Sequence, residues 1–316
     1  MADRFDFKGT KAKSPYFEGW YVKASDPKKE FTLALIPGVA LFDAEECFVQ
    51  YNLVYKGKTL SGKITFPIEE FTVVKDPYSI LMPSFVLSKN SVKAHLKDDK
   101  IDLMLDLSFG EFLPLDKSLY SPSIMGPFEY LKMPCAHDVI SMRHKVSGTI
   151  VLNGESITIA SGMGYLEKDR GSTFPNKYVW GQSNIFKEKE QCSVFLSVAE
   201  IDLSIINFMG TIAVFHDGEK EHRFATYLGA NAEVKVAADQ QSYVVKIKDA
   251  KKSLTAEVSL KNGDKLIAPM KNNMDYAIKE TVKATISLVF EQKNKEPLHL
   301  NSEDGAAECV NWNKDA

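Results

Sequence analysis

The chain has 316 residues, of which 44% are apolar, 11% aromatic and 26% charged, and its 39 basic and 42 acidic side chains leave a net charge of −3. That is enough apolar material for one large core or two medium ones, and it excludes a disordered chain. The balance of charge excludes the basic excess of a nucleic-acid binder and a polybasic membrane anchor, so no nucleic-acid partner is expected.

The four cysteines, at 47, 135, 192 and 309, are too few and too scattered for a disulfide framework. Reduced thiols and a cytoplasmic location are the expectation. The opening MADRFDFKGTKAK has no apolar signal core, and no long apolar run could span a bilayer, so any lipid contact is expected to be peripheral.

The first informative stretch in chain order is Tyr16-Phe17-Glu18-Gly19-Trp20-Tyr21. As a strand it puts Glu18 and Trp20 on one face and Tyr21 on the other. A carboxylate beside an indole fits a site if that face is buried, and a surface Glu next to a core Trp is the ordinary alternative. A turn signal follows at Lys56-Gly57. Ile101, Leu103, Leu105, Leu107 and Phe109 then alternate with Asp102, Met104, Asp106 and Ser108, the mark of a half-buried strand.

Residues 110–138 are rich in proline and glycine, so they read as an irregular inserted loop, a lid or a surface excursion. Strict alternation over 137–144 places His137, Ser141 and Arg143 on one side and Asp138, Met142 and His144 on the other. Asn153-Gly154 is a hairpin turn. Glu167 and Asp169 point one way, and Trp180, Gln182 and Asn184 recur at period two. Buried amides need partners, and a ligand or solvent could supply them. Asp217-Gly218 and Asn262-Gly263 are further turns, and Val282, Ala284, Ile286, Leu288 and Phe290 alternate again. No long capped segment shows a 3.6-residue period, so the fold class is all-β, built of antiparallel barrels or sandwiches.

A weak repeat runs through the chain. Residues 18–37 align with 179–198 at an offset of 160, which places Trp20 on Trp180, and 50–58 align with 210–218 at the same offset. Residues 146–159 resemble 282–295 at an offset of 136, so the first half carries about 24 extra residues, most of them in the insertion. Two tandem β domains follow, 14–170 with the inserted loop and 177–316.

Phosphate loops, dinucleotide fingerprints and GxSxG elbows are all missing. Cys135, His137 and His144 have no standard zinc spacing, so neither metal nor cofactor is expected.

The stretches YFEGWYVK (16–23), GPFEYLKMPCAHDVISMRH (126–144), GYLEKDRGSTFPNKYVWGQSNIF (164–186), RFATYLGA (223–230) and APMKNNMDYAIKETV (268–282) resemble the tocopherol cyclase-like family, in order over nearly the whole chain. The resemblance implies two lipocalin-like β-barrel halves. It also implies closure of a prenylated hydroquinol onto its own side-chain alkene, or a related isomerisation of an isoprenoid lipid. Protonating an alkene needs an acid held neutral by an apolar cavity. Glu18, Glu167 and Asp169, with His137, are the catalytic candidates. Trp20, Tyr21, Ser141, His144, Trp180, Gln182 and Asn184 are the substrate-binding ones, with indole faces to stabilise a cation and amides to orient the phenol. Pro134 stands where the family usually has an acid, and Arg170 where it usually has tryptophan. A non-catalytic lipocalin-like carrier of a small hydrophobic ligand is the alternative.

Overall fold

The computed structural model describes residues 3–12, 14–203, 206–261, 263–271 and 273–313. Among them there is no α-helix; short 3₁₀ turns link twenty-one strands. No helix is long and apolar enough to cross a membrane. The protein is all-β, and both its sheets are antiparallel wherever a register is defined.

The chain forms two compact units. The first comprises residues 1–114, 135–174 and 266–277, and the second 115–134, 175–265 and 278–316. Thus the segment 115–134, which the sequence places inside the first half, clusters with the second unit.

The first unit is built on an eleven-stranded sheet. Its strands are β1 (Tyr16–Asp26), β2 (Phe31–Leu41), β3 (Glu45–Tyr55), β4 (Lys58–Pro67), β5 (Thr72–Lys75), β6 (Tyr78–Met82), β7 (Phe85–Ser88), β8 (Ser91–Lys97), β9 (Asp102–Phe109), β10 (Cys135–Leu152) and β11 (Glu155–Gly171). They run in the order β4-β3-β2-β1-β11-β10-β9-β8-β7-β6-β5. The sheet curls around one core. Val49, Tyr51 and Leu53 from near one end share a cluster with Ile80, Met82 and Leu87 from near the other. The curl is latched where Tyr51 Oη donates to Asp98 at 2.6 Å and Lys100 Nζ donates to the Ser61 carbonyl at 2.8 Å.

Alternation decides which residues enter that core. Ile101, Leu103, Leu105 and Leu107 are buried, and Met104 between them is exposed. Fully burying such a side chain stabilises by about 1.5–3 kcal/mol. The hairpin turns follow from residues that tolerate positive φ: Lys56 (48°) with Gly57 (74°), and Asn153 (50°) with Gly154 (85°). Asn262 of the fourth turn signal lies outside the described residues. The segment 266–277 is tied to this unit through Gln50. Its amide donates to the Ile267 carbonyl and accepts from the Ile267 N–H, both at 2.9 Å.

The second unit repeats the plan with β12 (Tyr178–Ser183), β13 (Ser193–Asp202), β14 (Asn207–His216), β15 (Glu221–Ala225), β16 (Asn231–Val236), β17 (Ser242–Lys248), β18 (Lys252–Ser259), β19 (Asp264–Met270), β20 (Asn273–Gln292) and β21 (Leu298–Val310). The sheet order is β15-β14-β13-β12-β21-β20-β18-β17-β16, with β19 paired to β20. Strand β12 sits between β13 and β21 as β1 sits between β2 and β11, so Trp20 and Trp180 occupy equivalent strands. The second offset needs correction. An offset of 136 would map the Asn153-Gly154 turn onto Val289-Phe290, which lie inside β20, while the real turn falls at 293–297. Period-two sequences slide by an even number of residues without changing faces, so the pattern alone does not fix this register.

The expected loop 110–138 is also shorter than its composition implies, because β10 already begins at Cys135. Opposite β9, Gly148 has φ +144°, and an added Cβ would lie 2.0 Å from the Asp106 carbonyl oxygen. Gly148→Ala is expected to destabilise the protein by roughly 1–3 kcal/mol, read as a shift in denaturant midpoint at unchanged m-value. An unshifted midpoint would show that the β9–β10 approach is not tight.

Candidate functional site

The ladder between β1 and β11 sorts two sets of buried charges onto opposite faces. Trp20 opposes Lys168, and Tyr21 opposes Glu167. Glu18, Trp20 and Lys168 therefore face the core, while Tyr21, Tyr165, Glu167 and Asp169 share the other face.

On the core side, Glu18 and Lys168 are each 0% exposed, with Lys168 Nζ 2.8 Å from Glu18 Oε1. The carboxylate also accepts from the Lys8 N–H at 2.9 Å, the Gly9 N–H at 3.0 Å and Tyr16 Oη at 2.5 Å. Burial, and then the Glu18 charge, push the Tyr16 phenol far above its ordinary value. Lys168 completes its shell by donating to the Asp6 carbonyl at 2.7 Å and lies 5.5 Å from the centre of the Trp20 ring. Trp20 Nε1 donates to the Phe5 carbonyl at 2.9 Å, and Phe5 and Phe7 pack against its ring.

The expected apolar hollow around Glu18 and Trp20 is thus filled by the chain's own residues 5–9. Glu18 is paired with Lys168 and has its other hydrogen bonds supplied by the chain itself. Trp20 packs against protein rather than ligand. Arg170 lies on this side too, 3.9 Å from Asp138, which Arg4 also pairs. The cation that departs from the family pattern consequently projects away from the Glu167 face.

On the opposite face, β10 brings His137 between two carboxylates. His137 Nδ1 is 2.8 Å from Asp169 Oδ1, and Nε2 is 3.4 Å from Glu167 Oε2. Tyr165 Oη donates to Glu167 Oε2 at 2.5 Å, and the Cys135 thiol lies 3.7 Å from Asp169. The Tyr21 ring stands edge-on to Tyr165, with centroids 6.4 Å apart.

Burial alone would push the His137 imidazole down; Asp169 and Glu167 reverse this and hold it well above its ordinary value. Burial pushes the Glu167 carboxyl up, with the Asp169 charge adding to the rise and His137 opposing it. Burial and Asp169 drive the Cys135 thiol well up, which leaves it a poor nucleophile. An imidazole held up and a desolvated carboxyl held up, side by side, are groups that can exchange a proton with one another or with a bound molecule. One imidazole and two carboxylates within 4.8 Å of one another also form a donor set for a cation. An imidazolium has no free lone pair, so a metal would first have to displace its protons.

Ser141 and His144 do not join this cluster. The expected alternation over 137–144 breaks at bulges between Val139 and Ser141 and between Ser141 and His144. The two residues, assigned to opposite sides by the sequence, bond to each other, with His144 Nδ1 3.0 Å from Ser141 Oγ. Ser141 donates onward to the Arg143 carbonyl, so His144 carries its proton on Nδ1. Its ring packs against Phe109 and Phe112, and Nε2 points into the space that Gly164 leaves open. Burial lowers its pKa to about 3.

In the second unit, Val179 belongs to the core cluster, so Tyr178, Trp180 and Gln182 alternate onto the other face of β12. Trp180 is 6% exposed. Gln182 is fully buried, and neither atom of its amide has a hydrogen-bond partner among the described residues. Tyr178 Oη donates to Glu308 at 2.6 Å. Asn184 is buried just beyond the strand.

Sequence reasoning missed Lys168, Tyr165 and the 3–9 segment. Tyr165 was legible, because it alternates with Glu167 and Asp169. Lys168 becomes visible only once β1 is paired with β11.

Two curled antiparallel sheets, one carrying a buried imidazole–carboxylate cluster, define a class of two-unit, lipocalin-like β proteins. Several solved structures share the fold. A Nitrosomonas europaea protein assigned provisionally as AttH has 11% identity and TM-score 0.55, over 98% of this chain and 99% of that one. CghA has 7% identity and TM-score 0.60, over 94% and 88%. Kievitone hydratase from Nectria haematococca has 8% identity and TM-score 0.53, over 94% and 89%. No curated protein matches the chain. The tocopherol cyclase-like family model matches residues 118–309, more than half of the chain, and the protein belongs to that family. The match leaves out the YFEGWYVK stretch, whose Glu18 and Trp20 are the candidates found packed within the first unit.

Lys168→Met strands the Glu18 carboxylate and is expected to cost about 3–5 kcal/mol, with the Glu18→Gln, Lys168→Met double variant recovering part of it. Equal stability of the two variants in urea titration would remove the pairing argument. His144 is neutral in the folded protein down to about pH 3, whereas in the unfolded chain it titrates near pH 6.5. Its stabilising effect is complete above pH 6.5 and declines as pH falls. Between pH 6.5 and 4.5 the wild type should lose about 2–3 kcal/mol more than His144→Leu does. Parallel stability profiles would refute this.

Proposed function

We propose that the protein is a cofactor-independent cyclase or isomerase acting on a prenylated hydroquinol or a related isoprenoid lipid. One observation carries the reading: Glu167 is a buried carboxyl, raised by its burial and in contact with His137 and Tyr165. Its proton passes to the side-chain alkene and gives a tertiary carbocation. The phenol oxygen adds to that centre, and the phenolic proton returns to the Glu167 carboxylate. No electrons are gained or lost, so no redox cofactor is required.

His137 and Asp169 hold the donor in place and keep a second proton at hand. Tyr21, edge-on to Tyr165, offers an aromatic face near the developing cation. Family membership supports this class of chemistry. One fold neighbour is named a hydratase, and acid-catalysed hydration of an alkene begins with the same protonation. Four free thiols support a reducing, cytoplasmic setting.

A carrier of a small hydrophobic ligand is the second reading, favoured by Gln182. A buried amide lacking partners is matched by a ligand's polar group whether or not turnover follows.

Glu167→Gln should reduce chromanol formation from a methyl-phytyl-benzoquinol by roughly 10²–10⁴-fold, followed by mass spectrometry, with quinol binding retained. Full turnover by the variant would clear Glu167 of the acid role. Quinol binding by the wild type without any product would favour the carrier.

A further inference from the structure

Ten large apolar side chains are exposed among the described residues, and seven of them fall in three short segments of the second unit: Leu119, Tyr120, Tyr130 and Leu131 in 115–134, Ile206 and Met209 beside the β13–β14 turn, and Leu228. These segments are one region. Tyr130 Oη donates to the Leu119 carbonyl at 3.2 Å, and the Phe128 and Phe208 rings lie 6.2 Å apart. Tyr227, next to Leu228, donates to the Ile124 carbonyl at 3.1 Å and fills the space over Gly126.

The region is anchored from below. Arg223 on β15 pairs with Glu221 at 2.6 Å and donates to the Asp116 carbonyl at 2.7 Å, the Ser123 carbonyl at 3.2 Å and the Ser121 hydroxyl. A held loop that still projects Tyr120 at 81% and Leu119 at 74% exposure is not explained by core packing, and exposed apolar clusters mark interaction sites.

We propose that this patch docks the protein onto a lipid surface. Leu119, Tyr120 and Leu131 project from irregular chain and Tyr130 and Leu228 from short 3₁₀ turns, a shape suited to insertion between headgroups rather than to close fitting against a flat partner. Each Leu–Tyr pair also has an exposed lysine beside it, Lys117 near Leu119-Tyr120 and Lys132 after Tyr130-Leu131. Leucine tips, phenols at headgroup depth and lysines reaching anionic phosphates are the interfacial set. The patch assigns the peripheral lipid contact to named residues. It deepens the proposed function, because an isoprenoid substrate resides in such a phase.

The test is co-sedimentation of the full chain with phosphatidylcholine vesicles, with and without phosphatidylglycerol. Wild type should bind, more tightly with the anionic lipid. A Leu119→Ser, Tyr120→Ser, Tyr130→Ser, Leu131→Ser variant should bind at least tenfold more weakly, with an unchanged circular dichroism spectrum and melting profile. Val86→Ser, Met104→Ser, which removes exposed apolar groups elsewhere, should bind like wild type. Equal binding by the patch variant, or no binding by wild type, overturns the proposal. So does a wild-type dimer in light scattering that the patch variant converts to monomer, since a second copy would then be the occupant. Turnover of detergent-dispersed quinol keeps this result separate from the catalytic reading: turnover by wild type without vesicle binding overturns only the docking, and vesicle binding without turnover overturns only the acid role.

Discussion

The antiparallel pairing of β1 with β11 separates buried charges that would otherwise meet. On one face the Lys168 ammonium neutralises Glu18 inside a hydrogen-bonded shell drawn from residues 6–9 and Tyr16. On the other, Glu167 and Asp169 outnumber the single imidazole of His137. Burying an ion without compensation is expensive, so the first set is closed and structural, and the second keeps titratable capacity. Both sets depend on one ladder register, since a slip of one residue would exchange their faces.

This division also places Arg170, one of the two departures from the family pattern, away from Glu167. Arg170 falls on the Lys168 side of the strand and pairs toward Asp138. A guanidinium beside Glu167 would add to the pull that His137 already exerts toward the ionised form. Strand parity keeps it away, and the guanidinium instead helps to balance the acidic groups at that end of the core.

The second unit uses the same architecture for a different purpose. Its counterpart strand, β12, presents an indole and an unsatisfied amide where β1 presents aromatic and ionic groups, and its loop 115–134 is fixed by Arg223 while its tips remain in solvent. The two units share strand order, but the offset of 160 exchanges the faces: Trp20 lies in its unit's core and Trp180 lies opposite its own. Duplication of a fold leaves the opposite face and the loops free to carry different chemistry.

Much of the fold was written in the sequence, because alternation at period two and turn residues with positive φ are local signals. Leu103, Leu105 and Ile286 announce a buried face, and Asn153-Gly154 announces its hairpin. The alternation of Glu167 with Asp169, and of Trp180 with Gln182, was legible for the same reason. What neighbours each face could not be read. Only the tertiary structure placed Lys168 against Glu18, filled the space beside Trp20 with Phe5 and Phe7, broke the alternation with bulges so that His144 met Ser141, and carried 115–134 into the second unit. These outcomes depend on pairing between residues far apart in the chain, and a periodic pattern that can slide by two without changing its faces does not encode which partner a strand will take.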